Sequence, residues 1–217
     1  MKHHLVTRLA VLTAGALAAA GVGLATPAGA TTQHDKVGTR SLAQVLAKDG
    51  MKLDRNWEDF DILEAAVVAV VTAKPSSPVA LLTDGSVRLT AFLPTDGAFR
   101  DLVGDLTGKR PGTEKKVVNQ LLALAGVDTI ETVLLYHVVA GATLTSPKVI
   151  AAAKKGTRLE TAQGGKVKVK LVKGNITLVD KDPDLADPNV IANGIDINRG
   201  NKQVGHAIDR VLLPIDL

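Results

Sequence analysis

The sequence predicts an α+β fold. Three observations carry that reading: helix-like segments dominate the first half, strand-like segments dominate the second, and one strand stands early among the helices. A regular βαβ alternation would instead mark a parallel sheet. There is no internal repeat.

The elements follow in order. Ser41–Lys48 (SLAQVLAK) places Leu42, Val45 and Leu46 behind a capping serine, a short amphipathic helix. Asp59–Lys74 is apolar from Ile62 to Ala73 except for Glu64 and Thr72, with acids at its start and a lysine at its end. That polarity suits a helix dipole, and the length favours a buried helix. KPSSP (Lys74–Pro78) breaks the chain. Ser86–Pro94 alternates Val87, Leu89, Ala91 and Leu93 with Arg88 and Thr90, a strand stopped by proline. A short helix capped by Thr95 or Asp96 follows. A polar loop, Gly108–Lys116, leads into one helix at Val117–Ala125 and another at Thr129–His137. Ser146–Gly156 is a further short helix, with Pro147 in its first turn and Gly156 at its end. Lys166–Asp180 forms two strands joined at Lys173-Gly174-Asn175. A last strand is predicted over His206–Pro214.

The first thirty residues have the form of a secretory signal peptide. Lys2 and Arg8 open it, an apolar run from Leu9 to Leu24 follows, and Ala28-Gly29-Ala30 gives a cleavage signature. Cleavage after Ala30 leaves Thr31–Leu217, read as an extension with a short helix (31–55) and one domain (56–217). Removing Lys2 and Arg8 takes the formal charge from +4 to +2 (4 − 2), too balanced to point to nucleic acid or acidic membranes. No later apolar run matches the ~18 residues of a membrane span. The chain has no cysteine. Disulfides, thiolate metal sites and cysteine nucleophiles are therefore excluded, and stability must come from packing.

Three segments in order resemble the fasciclin, or FAS1, family. TAFLPTDGAF (Thr90–Phe99) resembles its first box, LLYHVVAG (Leu134–Gly141) its central Tyr-His motif, and HAIDRVLLP (His206–Pro214) the end of its second box. FDILEAAVVA (Phe60–Ala69) fits its early helix. The resemblance implies a wedge-shaped β-sandwich flanked by several short helices. It also implies an extracellular, non-enzymatic role in adhesion or surface recognition, and it is similar to secreted single-domain bacterial members. Three departures stand out. Asn193-Gly194 is separated from His206 by IDINRGNKQVG, as if a longer hairpin were inserted, and Gly205 replaces an expected apolar residue. The Asp-Ile pair that some animal members carry there is absent. Deletion of the insertion, Ile195–Gly205, is expected to leave folding intact, because long surface loops cost little to close.

Candidate binding residues are Pro94, Thr95 and Asp96 of the first box with Tyr136 and His137. The Tyr-His pair reads either as a clip that bonds backbone or Asp96, or as an epitope; the clip is preferred, since buried polar groups normally find partners. Lys166, Lys168 and Lys170 form a one-sided basic strip, either a solvated strand face guarding an edge or a contact for an anionic glycan. Aromatics make up 2% of the chain, too few for base-stacking platforms. Asp180–Pro188 is rich in carboxylates, but Leu185 and Ile191 stand where a calcium loop counted from Asp180 needs Gly and Glu. No hydrolase, phosphate-loop or zinc-protease motif is present. The reading is therefore a secreted, monomeric binding module for an extracellular protein or surface glycan, with no catalytic residue, metal, cofactor, nucleic acid or membrane insertion. The alternatives are a carrier of a small apolar ligand, motivated by 46% apolar content, and a hydrolase with an unrecognised site.

Overall fold

The computed structural model describes residues 37–48 and 50–216. The expected signal peptide, its cleavage site and the first residues of the extension lie outside them. The described chain runs α1 (Leu42–Leu46), α2 (Asp61–Ala73), β1 (Leu89–Pro94), α3 (Asp96–Thr107), α4 (Glu114–Tyr136), β2 (Val138–Ala140), α5 (Ser146–Lys155), β3 (Arg158–Glu160), β4 (Lys166–Val172), β5 (Asn175–Val179) and β6 (Gln203–Ile208). This is an α+β fold of helices and two three-stranded sheets, ordered β2-β1-β6 and β3-β4-β5.

β1 is the hub of the first sheet. All six of its residues are buried. It pairs antiparallel with β2 and parallel with β6, from Leu89 opposite Gln203 to Pro94 opposite Ile208. This corrects the last strand, which the sequence placed at His206–Pro214. A strand paired with β1 ends where β1 ends, and Pro94 offers no N–H to extend the ladder. Strands β2 and β3 escaped prediction because three residues are too few for an alternation to register. The two helices expected between Val117 and His137 are both present, separated within α4 by a kink at non-helical Gly126 (φ 69°, ψ 169°). By length and composition α4 could span a membrane, but the kink leaves two halves that are each too short.

Two apolar clusters fill the interior. One gathers Leu42, Ile62, Val70, Leu93, Phe99, Val103, Val117 and Leu134 from the helices and β1. The other gathers Phe92, Tyr136, Val149, Val167, Val169, Leu178, Ile208 and Leu212 around the second sheet and α5. Pro188–Ile191 stitches the sheets: Leu178 N–H bonds Pro188 O and Val190 N–H bonds Ile176 O on one side, while Ile191 N–H bonds Ala207 O on the other.

The inserted hairpin is wired into the fold, against the expectation that its deletion leaves folding intact. Asp196 accepts from Ser146 N–H (2.7 Å) and Oγ (2.6 Å), so it caps α5, whose own Thr145 makes no side-chain cap. Asn201 Oδ1 accepts from Arg40 N–H and Asn198 Nδ2 donates to Arg40 O. Gln203 accepts from Leu42 N–H and donates to Leu81 O and Asp84 O. Gly205 then has a reason. A Cβ there would lie 2.5 Å from Leu93 Cδ1 and 3.2 Å from Leu42 Cδ2, so glycine makes room for α1 to dock Leu42 into the core.

Candidate functional site

Tyr136 ends α4 and is fully buried. Its hydroxyl donates to Lys166 O at 3.0 Å, tying α4 to the second sheet. His137, 4% exposed, takes up the other direction. Its Nε2 accepts from Leu212 N–H at 2.9 Å, so the proton sits on Nδ1, which donates to Val133 O at 2.7 Å. Its carbonyl accepts from Phe92 N–H on β1. Burial drives the imidazole pKa down to about 4, against a weaker opposing pull from the Val133 bond. The ring is neutral at physiological pH with both nitrogens occupied. His206 repeats the pattern: Nδ1 accepts from Asp196 N–H, Nε2 donates to Leu144 O, and burial lowers its pKa. Asp209 faces Asn189 and makes no dyad with it.

The first box does a different job. Thr95 Oγ1 caps α3 at Ala98 N–H. Asp96, fully buried, accepts from Ile62 N–H at 3.0 Å through Oδ1, so it caps α2 from the first position of α3. It makes no bond to the Tyr-His pair. Pro94, Thr95, Asp96, Tyr136 and His137 are all buried, and His137 also lines an apolar cavity beside β1.

Asp96 belongs instead to an acidic cluster that sequence reading missed. One carboxylate oxygen each of Asp59, Asp96 and Glu114 lie within 4.8 Å of one another. These residues stand at the starts of α2, α3 and α4, on separate segments that no short motif joins. Asp59 and Asp96 meet in a carboxyl–carboxyl hydrogen bond that needs a shared proton, and both Glu114 oxygens are buried without a hydrogen-bond partner. Burial pushes Asp96 up to about 9; the Ile62 N–H pulls down, and Asp59 and Glu114 push up further. Burial also lifts Glu114 to about 7, helped by Asp54, Asp59 and Asp61.

The basic strip is placed as its period requires. Val167 and Val169 are buried, Lys166 is exposed, and Lys168 and Lys170 are half-buried on the opposite face. Arg158 on β3 stands opposite Lys168 and extends the strip, with Glu160 opposite Lys166 as the sole acid in the pairing. None of these lysines joins an ion pair among the described residues. In the Asp180–Asp187 loop, Asp180 accepts from Leu213 and Asp182 N–H, and Asp182 from Asp184 and Leu185 N–H. These carboxylates bind their own backbone. A cavity of about 300 Å³ lies between α1, α2 and β1, lined by Leu46, Met51, Val67, Val71, Leu93 and Val138 with a few polar groups.

The fasciclin domain model matches residues 65–214. Among solved structures the chain is similar to a FAS1 domain pair from the insect cell adhesion molecule fasciclin I, with 17% identity and a TM-score of 0.49. That alignment covers 71% of this chain and 47% of the other, so the chain spans about half that protein's length. No curated protein matches.

Proposed function

The chain belongs to the fasciclin family, and from that premise we propose that it is a secreted, monomeric interaction module that binds an anionic extracellular partner, a surface glycan or an acidic protein, by surface complementarity. Fasciclin domains are generally non-enzymatic adhesion modules. The observation that carries the reading here is the basic face of the second sheet: Arg158, Lys166, Lys168 and Lys170 share one side and are free of ion pairs among the described residues. The Tyr-His pair then acts as framework that ties α4 to this sheet and to the first.

The absence of chemistry rests on the histidines. His137 and His206, the two within the described residues, each spend both ring nitrogens on backbone, so neither is poised as a base beside a serine. The test is the triple variant Lys166→Glu/Lys168→Glu/Lys170→Glu, assayed on intact cells and on immobilised acidic polysaccharide over a salt series. Binding should fall at least ~10-fold and the residual should lose its salt dependence. Unchanged binding by a folded variant would remove this face from the reading.

One observation supports a second reading as a carrier of a small apolar ligand: the apolar cavity of about 300 Å³ against α1 and α2, at the lower end of ligand-pocket volumes. Native mass spectrometry of gently purified protein should show an added mass that Val67→Trp removes. Bare protein alone would dismiss the carrier.

A further inference from the structure

We propose that Asp59, Asp96 and Glu114 form a binding site for a hard divalent cation, with calcium the best fit. The starting point is geometric: three carboxylates on three elements converge to within 4.8 Å. The independent observation is the state of their oxygens. Glu114 is fully buried with both oxygens unpartnered, and Asp96, also fully buried, faces the Asp59 carboxyl across a hydrogen bond that needs a shared proton. Asp54 N–H approaches Glu114 and lowers its pKa slightly, but not at hydrogen-bond geometry. None of the ion pairs among the described residues reaches the three. A buried, uncompensated carboxylate is costly, and a group of them more so. The N-termini of α2, α3 and α4 offset part of that cost through their dipoles, yet the one N–H that bonds Asp96, from Ile62, serves Oδ1 alone.

The donor set chooses the ion. Oxygen-only ligands select hard cations over copper or zinc. Glu114, with both oxygens open, suits a bidentate grip, which calcium accepts in its loose coordination; magnesium demands near-octahedral geometry and keeps its waters. There is also a way in. Asp54, Asp59 and Asp61 form a second convergent trio that shares Asp59 and runs out to the exposed Asp54. Asp54 in turn lines an open depression with Asn56, Thr113, Arg55 and Lys115, on either side of Glu114 in sequence. Without a cation, protons must do the neutralising, and binding would displace them.

The experiment uses chelator-treated full chain. Calcium and magnesium are titrated by calorimetry and by melting temperature. Terbium luminescence sensitised by Trp57, the only tryptophan, gives a second readout. Variants are Glu114→Gln, Asp96→Asn (which keeps an acceptor for Ile62) and, as control, Asp184→Asn on the exposed acidic loop. The proposal expects one saturable calcium site that raises the melting temperature, at least ~10-fold weaker in either cluster variant and unchanged in Asp184→Asn. If Glu114→Gln does not fold, Asp96→Asn decides alone. Absence of saturable binding, or equal binding by wild type and a folded cluster variant, would overturn it.

Discussion

His137 and Asp96 are both buried polar residues near β1, and the molecule treats them in opposite ways. Around His137 every polar atom has a partner, and those partners belong to α4, β1 and the segment after β6. Around Asp96 one partner is another carboxyl, Asp59, and both oxygens of neighbouring Glu114 have none. The first arrangement is what a fold needs to hold three elements in register. The second opposes stability unless something neutralises it, and under-satisfied groups of that kind mark ligand sites more often than satisfied ones do. The two arrangements meet in the motifs themselves: Asp96 stands in the first box, while Asp59 and Glu114, which converge on it, lie on other segments.

The comparison breaks most easily at the clip. His137→Ala should lose about 3–5 kcal/mol, because it empties a buried site and strands Leu212 N–H. Tyr136→Phe removes only one hydroxyl and should cost about 1–2 kcal/mol. Denaturant unfolding of both measures this, and two near-neutral results would make the pair dispensable. Next comes pH. His137 is held near 4 when folded against 6.5 unfolded, so the unfolded chain binds the extra proton between those values. Stability from this group rises with pH across that window and is lost as pH falls through about 4. Asp96 runs the other way: its folded value of about 9 exceeds the unfolded 3.8, so its contribution is whole below about 4 and is lost as pH rises through about 9. Glu114 shares that direction, lifted to about 7 by burial. Unfolding of Asp96→Asn across pH should show a flatter alkaline side than wild type; identical profiles would contradict the assignment. In chelator, Asp96→Asn should be neutral near pH 7 and stabilising by up to ~1 kcal/mol on the alkaline side, where the wild-type carboxyl must ionise in a buried place, and it keeps the α2 cap. The smallest effect belongs to the hairpin: Asp196→Ala should cost about 1 kcal/mol through the lost α5 cap.

Much of the fold was legible. Capping residues, proline stops and the Val/Lys alternation of β4 located helices and strands within a few residues, because each is a local rule. The clip was legible too, since a lone Tyr-His pair in an apolar run has to be satisfied somewhere, although its partners proved to be Lys166, Val133 and Leu212 backbone and not Asp96. Two things were not. Ile195–Gly205 read as dispensable for folding because its bonds go to Arg40, Leu42 and Ser146, which only tertiary folding brings near. The acidic cluster stayed hidden because Asp59, Asp96 and Glu114 each make sense alone as a helix-start acid; only the convergence of three helix ends sets them together.

The most direct measurement is the nitrogen NMR spectrum of His137 as a function of pH. The clip predicts a neutral ring protonated on Nδ1 that shows no titration from pH 8 down to about 5, because burial holds its pKa near 4. A ring that titrates near 6.5 with averaged tautomers would be a ring in contact with water. It would return Tyr136 and His137 to the surface as recognition residues.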